Sequence, residues 1–204
     1  MKHLNTQMAA IVIALASANS VFSQEMSKAS YKASEEKLEV DYKAAKKACA
    51  PLKANPFDIC IAEAKAAQKI GKSELYAAYR PTERNRYNAS VAKANANYSV
   101  AIEKCDDSSG NTKAVCRKEA SAAQVSATAD AKAKFKIDEA NLKAVAGSAD
   151  ARAAATKART DARKDASSDK SDAEYAVEKA KCDAMTGNAK DMCMAQAKAR
   201  FGKS

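Results

Sequence analysis

Six cysteines and one histidine are the residues with the most chemistry in this 204-residue sequence. Their spacing narrows what that chemistry is. The cysteines form three sets, Cys49 and Cys60, Cys105 and Cys116, Cys182 and Cys193, each eleven residues apart. A dithiol redox centre or a zinc site is usually written with close pairs such as Cys-x-x-Cys, and this chain has none. The only histidine, His3, precedes an apolar run at the start of the chain, so it leaves with a cleaved leader. Neither a Cys-His nor a Ser-His nucleophile can then be assembled. The five glycines are dispersed, with no phosphate-cradling loop among them. Carboxylates are plentiful, but on alanine-lysine helices they stay solvated and are not tuned by burial. The expectation is a protein that is not an enzyme, with no catalytic, cofactor-binding or metal-ligating residues, whose cysteines serve as structural disulfides.

The beginning of the chain says where such disulfides form. Lys2 and His3 lead into "MAAIVIALASA", Met8 to Ala18, and small residues follow, with Val21 and Ser23 flanking Phe22. This is the layout of a secretory signal peptide, and the run is too short to span a bilayer. Cleavage is expected after Ser23, with Ala18 as a second site, and the mature chain is expected to be periplasmic. An even set of cysteines downstream of the leader fits an oxidising compartment.

Around each cysteine set the sequence repeats Tyr-x6-Cys-x10-Cys: "YKAAKKACAPLKANPFDICIAEA" from Tyr42, "YSVAIEKCDDSSGNTKAVCRKEA" from Tyr98 and "YAVEKAKCDAMTGNAKDMCMAQA" from Tyr175. In the second copy Tyr87, Val91, Ala94, Tyr98, Ala101 and Cys105 step by threes and fours, which places them on one helical face. Gly110 is a natural left-handed stop, and Asn111 is a good N-cap for a return helix. Gly187 and Asn188 repeat the pattern, with Asp191 as the capping acid. In the first copy Ala54 replaces the glycine and weakens the stop. There Pro51 ends the incoming helix, Asn55 keeps the cap, Pro56 takes the first helical position and Asp58 supplies the acid. Three local spellings converge on an antiparallel helical hairpin whose cysteines face each other. The pairing favoured is Cys49 with Cys60, Cys105 with Cys116, and Cys182 with Cys193, each closing a loop for about 3 kcal/mol in the chain-entropy model.

Such staples are needed because little else can form a core. Hydrophobic residues make up 47% of the chain, but about half of these are alanine, and aromatics are only 5%. Alanine with Lys, Glu, Gln and Arg favours long helices over a densely packed domain. The fold class expected is all-α: elongated helical hairpins, or an antiparallel coiled-coil bundle, stapled by local disulfides. The signal peptide occupies 1–23, and the three stapled hairpins occupy 24–80, 81–147 and 148–204. Helices are expected over Met26 to Ala50, Pro56 to Tyr79, Glu83 to Ser109, Thr112 to Ala146, Ala149 to Thr186 and Ala189 to Phe201. Pro81 breaks the second from the third, Gly147-Ser148 the fourth from the fifth, and Ser167-Ser168-Asp169 is a further candidate break. The last arm is short, so residues 149–170 have no evident partner in their own hairpin.

An Ala/Lys/Asp/Glu-rich helical chain behind a signal peptide resembles the long periplasmic helical region of TolA, an envelope protein of Gram-negative bacteria. More specifically, "KCDAMTGNAKDMCMAQAKARFGK" resembles a motif of small uncharacterised exported proteins labelled TolA-like. The chain departs from TolA in having neither a membrane-anchoring helix nor a C-terminal globular domain. The resemblance implies an envelope location and no particular activity. Net charge is +10, or +9 once Lys2 is removed with the leader, with acids interspersed among the bases. The functional expectation is a periplasmic structural or interaction protein that presents mildly basic helices to an envelope protein or an anionic envelope polymer. It is expected to have no nucleic-acid partner, no membrane span and no cofactor, and homo-oligomers are compatible with it. The alternative is an exported stress protectant similar to late-embryogenesis-abundant proteins.

Overall fold

The computed structural model describes residues 26–145 and 147–203. The expected signal peptide, 1–23, lies outside them, as does Ala146, the expected last residue of the fourth helix. Six helices run in order: α1 Lys28–Cys49, α2 Asn55–Tyr79, α3 Glu83–Cys105, α4 Gly110–Val145, α5 Ala149–Cys182 and α6 Gly187–Phe201. The described residues include no strand, so the fold is all-α.

Helix starts follow side-chain chemistry at one end of the molecule and backbone conformation at the other. Ser27, Thr82 and Ser148 are the N-caps of α1, α3 and α5, each accepting from the backbone N–H three residues on at 3.0, 3.1 and 3.4 Å. Between α2 and α3, Pro81 ends the incoming helix and Arg80 leaves helical geometry at φ −124°, ψ 80°. At the cysteine end the chain instead reverses through a residue with positive φ: Ala54 at 53°, Gly110 at 56° and Gly187 at 58°.

Each hairpin is clamped at both ends. Near the reversal the disulfides Cys49–Cys60, Cys105–Cys116 and Cys182–Cys193 bridge Cα atoms 5.7, 5.6 and 5.6 Å apart. Among the described residues Cys49, Cys105 and Cys182 are the largest fully buried side chains. At the other end two rings meet: Tyr31 on Tyr79 at 4.5 Å, Tyr87 on Phe135 at 5.2 Å and Tyr175 on Phe201 at 5.9 Å between centroids. Tyr31 and Tyr87 stand at one offset from their cysteine, Tyr79 and Phe135 at another, so the first two hairpins share one register. A polar tie repeats in the same register, with Gln68 donating to Glu39 at 2.9 Å and Gln124 to Asn95 at 2.8 Å. Between these clamps lies mostly alanine, whose small side chain lets antiparallel helices approach closely.

The hairpins are not independent. Among the described residues each helix packs on its neighbours in the chain and on no other helix, giving a single-ply zigzag. The most extensive of these contacts joins α4 to α5, across the boundary between the second and third hairpins. That contact gives residues 149–170 their partner, and it overturns the expected break at Ser167-Ser168-Asp169. Helix α5 runs through those serines because α4 supports it, with Ala155, Ala162 and Ala166 buried and Asp165 paired with Lys136 at 2.9 Å. A helix held along one whole side has no reason to stop at residues that merely lower its intrinsic propensity.

Candidate interaction surfaces

The residues singled out by the repeat sit together at the reversal end of the array, where they form a joint between hairpins. Gly110 and Gly187 take the positive φ expected of them, and Ala54 takes it too, despite its Cβ. Pro56 lies in the first turn of α2, where its missing N–H costs nothing. The asparagines depart from the expected capping role. Helices α2 and α6 start with no side-chain cap at all. Asn55 instead sends its amide into the next hairpin, donating to the Glu103 carbonyl at 3.2 Å and the Asp107 carboxylate at 2.6 Å. Asn111 does the same one hairpin later, donating to the Ala180 carbonyl at 3.3 Å. Glu103 and Ala180 each lie two residues before a cysteine that ends its helix. At a helix end carbonyls lose the regular donor four residues on and can accept a side-chain amide, as Glu103 does beside the Asp106 N–H at 3.1 Å. Asn188 holds the third position in this series, with no following hairpin among the described residues.

Ion pairs repeat in the same register along the two inter-hairpin contacts. The lysine just before the first cysteine reaches a glutamate three residues after the previous hairpin's second cysteine: Lys104–Glu63 at 2.8 Å and Lys181–Glu119 at 3.9 Å. Farther along, Lys93 pairs with Glu74 at 3.6 Å, and Lys170 pairs with Asp130 at the matching offsets. These pairs are largely exposed, so they fix register more than they add stability. Around the reversals, hydrogen bonds from Arg117 and Lys113 hold the Asp106 carboxyl below its usual range, and Lys190 does the same to Asp183. In the first copy Ala50 and Phe57 occupy the corresponding places.

No charged or polar side chain is buried among the described residues. The same residues hold no cluster of three metal-ligating groups, and no helix in them is long and apolar enough to cross a membrane. The features that sequence reasoning missed are the inter-hairpin ties through Asn55 and Asn111, and the aromatic clamps Tyr31–Tyr79, Tyr87–Phe135 and Tyr175–Phe201. The equal offsets of Asn55 and Asn111, and of the first two aromatic pairs, from their cysteines are the signal that could have found those; Tyr175–Phe201 stands at other offsets.

No family model matches the chain, and no curated protein or solved structure matches it.

Proposed function

We propose that this chain is an exported, non-enzymatic scaffold of the cell envelope that offers mildly basic helical faces to an anionic envelope polymer. The observation that carries the reading is where the architecture spends its side chains. Among the described residues burial is confined to alanine, cysteine and a single valine, Val177, and no charged group of theirs is buried in the single-ply array with its two open faces. Charged side chains kept solvated suit recognition of an extended charged surface and are poorly placed for general acid-base work. The disulfides fit an oxidising compartment such as the periplasm. A protectant that works while disordered would have no use for a register repeated side chain by side chain, which favours the scaffold over that alternative.

The test is co-sedimentation of the oxidised mature protein with purified anionic envelope polymer across a salt series. Binding that weakens steadily as salt rises is the expected result. Absence of binding at low salt, or binding unchanged at high salt, would overturn the electrostatic reading.

A further inference from the structure

We infer that copies of this protein join head to tail, with α6 of one copy packing against α1 of the next and continuing the internal zigzag. The inference goes beyond the envelope-scaffold reading and rests on the packing between hairpins alone.

Helices α3 and α5 each bury a stripe of small residues against the preceding helix. In α3 the stripe includes Ala89 and Ala96, and in α5 it includes Ala166, Val177 and Ala180, all buried. It lies opposite the face that carries the cysteine and the aromatic clamp. Counted back from the first cysteine of each hairpin, the same positions in α1 are Ala33, Val40, Ala44 and Lys47. Among the described residues no helix precedes α1 to cover them. Ala33 and Ala44 are exposed, and Val40 is 63% exposed where its counterpart Ala96 is 3% exposed. At the other end of the array, Ala195 and Ala199 of α6 correspond to Ala62 and Ala66 of α2 and to Lys118 and Ala122 of α4. Ala66 is buried against α3, whereas Ala195 and Ala199 are exposed.

Two further observations point to a second copy as the occupant. Asn188 continues the series of Asn55 and Asn111, and its acceptor in that series is the Lys47 carbonyl of the next copy, two residues before Cys49. In addition, the face that α5 leaves without a partner is polar. Beyond the end of short α6, the α5 face that would have met it carries Lys164, Ser167, Ser168 and Ser171. The equivalent α3 face carries Tyr87, Ser90, Val91 and Ala94 against α4. The free stripe of α1 has not been made polar in this way. Where the internal contacts have a lysine and a glutamate, the two end faces have Ala48 and Gln196, so neither charge of that pair is left without its partner at the joint. A contact between two different faces generates an open chain or a ring, not a closed pair.

Sedimentation of the oxidised mature protein over a wide concentration range tests this. The average mass is expected to rise past that of a dimer. Val40→Glu and Ala199→Glu should each give a monomer with an unchanged circular dichroism spectrum, since both sites are exposed. Mixing the two variants should restore dimers and nothing larger, because each variant keeps one good end. Asn188→Ala should weaken association by roughly fivefold, the loss of one hydrogen bond. A wild-type protein that stays monomeric throughout would overturn the inference. So would a dimer plateau indifferent to Ala199→Glu, which would indicate two α1 helices paired about a two-fold axis.

Discussion

Ala54 is the place where the three repeats disagree in sequence and agree in backbone, and replacing it with glycine is the sharpest perturbation available. Its φ of 53° matches Gly110 and Gly187 at 56° and 58°. With ψ at −143° Ala54 sits in a region that glycine favours, and a residue with a Cβ pays roughly 1–3 kcal/mol to stay there. Glycine removes that strain but frees the unfolded chain, which takes back about 0.4–1 kcal/mol. Ala54→Gly should therefore stabilise the oxidised protein by about 1 kcal/mol, raising the melting midpoint by roughly 2–4 °C for a chain of this size. Gly110→Ala and Gly187→Ala should lower it by a similar amount. No atom lies within 4 Å of a Cβ built on either glycine, so the cost there is conformational and not steric. Thermal unfolding followed by far-ultraviolet circular dichroism, with disulfides intact, measures all three. A lower midpoint for Ala54→Gly, or unchanged midpoints for both reverse variants, would refute the claim that positive φ makes the reversal.

The remaining predictions concern the staples, a packing notch and acid stability. Replacing Cys105 and Cys116 together by serine should cost about 3 kcal/mol in denaturant unfolding if loop closure is what the bridge contributes; equal stability with and without it would refute that. Gly71→Ala should destabilise despite the better helix propensity of alanine, because its Cβ would stand 2.6 Å from Leu38 Cδ2. In a Leu38→Ala background the same change should stabilise by about 1 kcal/mol, and failure of the sign to reverse would remove the notch as its cause. Asp106 and Asp183 have folded pKa values below the ordinary 3.8. Each therefore contributes stability that is full above that value and is lost as pH falls through the lowered one. Both are solvent-exposed, so the effect should be small and fade with salt. Melting midpoints of Asp106→Asn and the parent protein should converge in acid, and a gap that widened there would contradict the assignment.

What was legible in the sequence was local. An eleven-residue spacing, a glycine or proline between the cysteines and a stripe of tyrosine and alanine define a hairpin whose parts are near each other along the chain. Four of the six helices end within one residue of where these signals put them, while α3, expected to reach Ser109, stops at Cys105 and α5, expected to reach Thr186, stops at Cys182. The illegible part was lateral. Asn55 reads as a helix cap from its neighbours alone, because its partner Glu103 belongs to another hairpin. The serines at 167–168 read as a break because nothing nearby in sequence reveals that α4 lies beside them.

The sequence alone thus determined three helical hairpins and their staples, since a tight reversal leaves each helix no neighbour but the one it has just turned from. Only the tertiary structure decided that the hairpins share one continuous zigzag. Alanine stripes fit many partners equally well, and it is the repeated lysine–acid pairs and asparagine ties across distant residues that select one register among them.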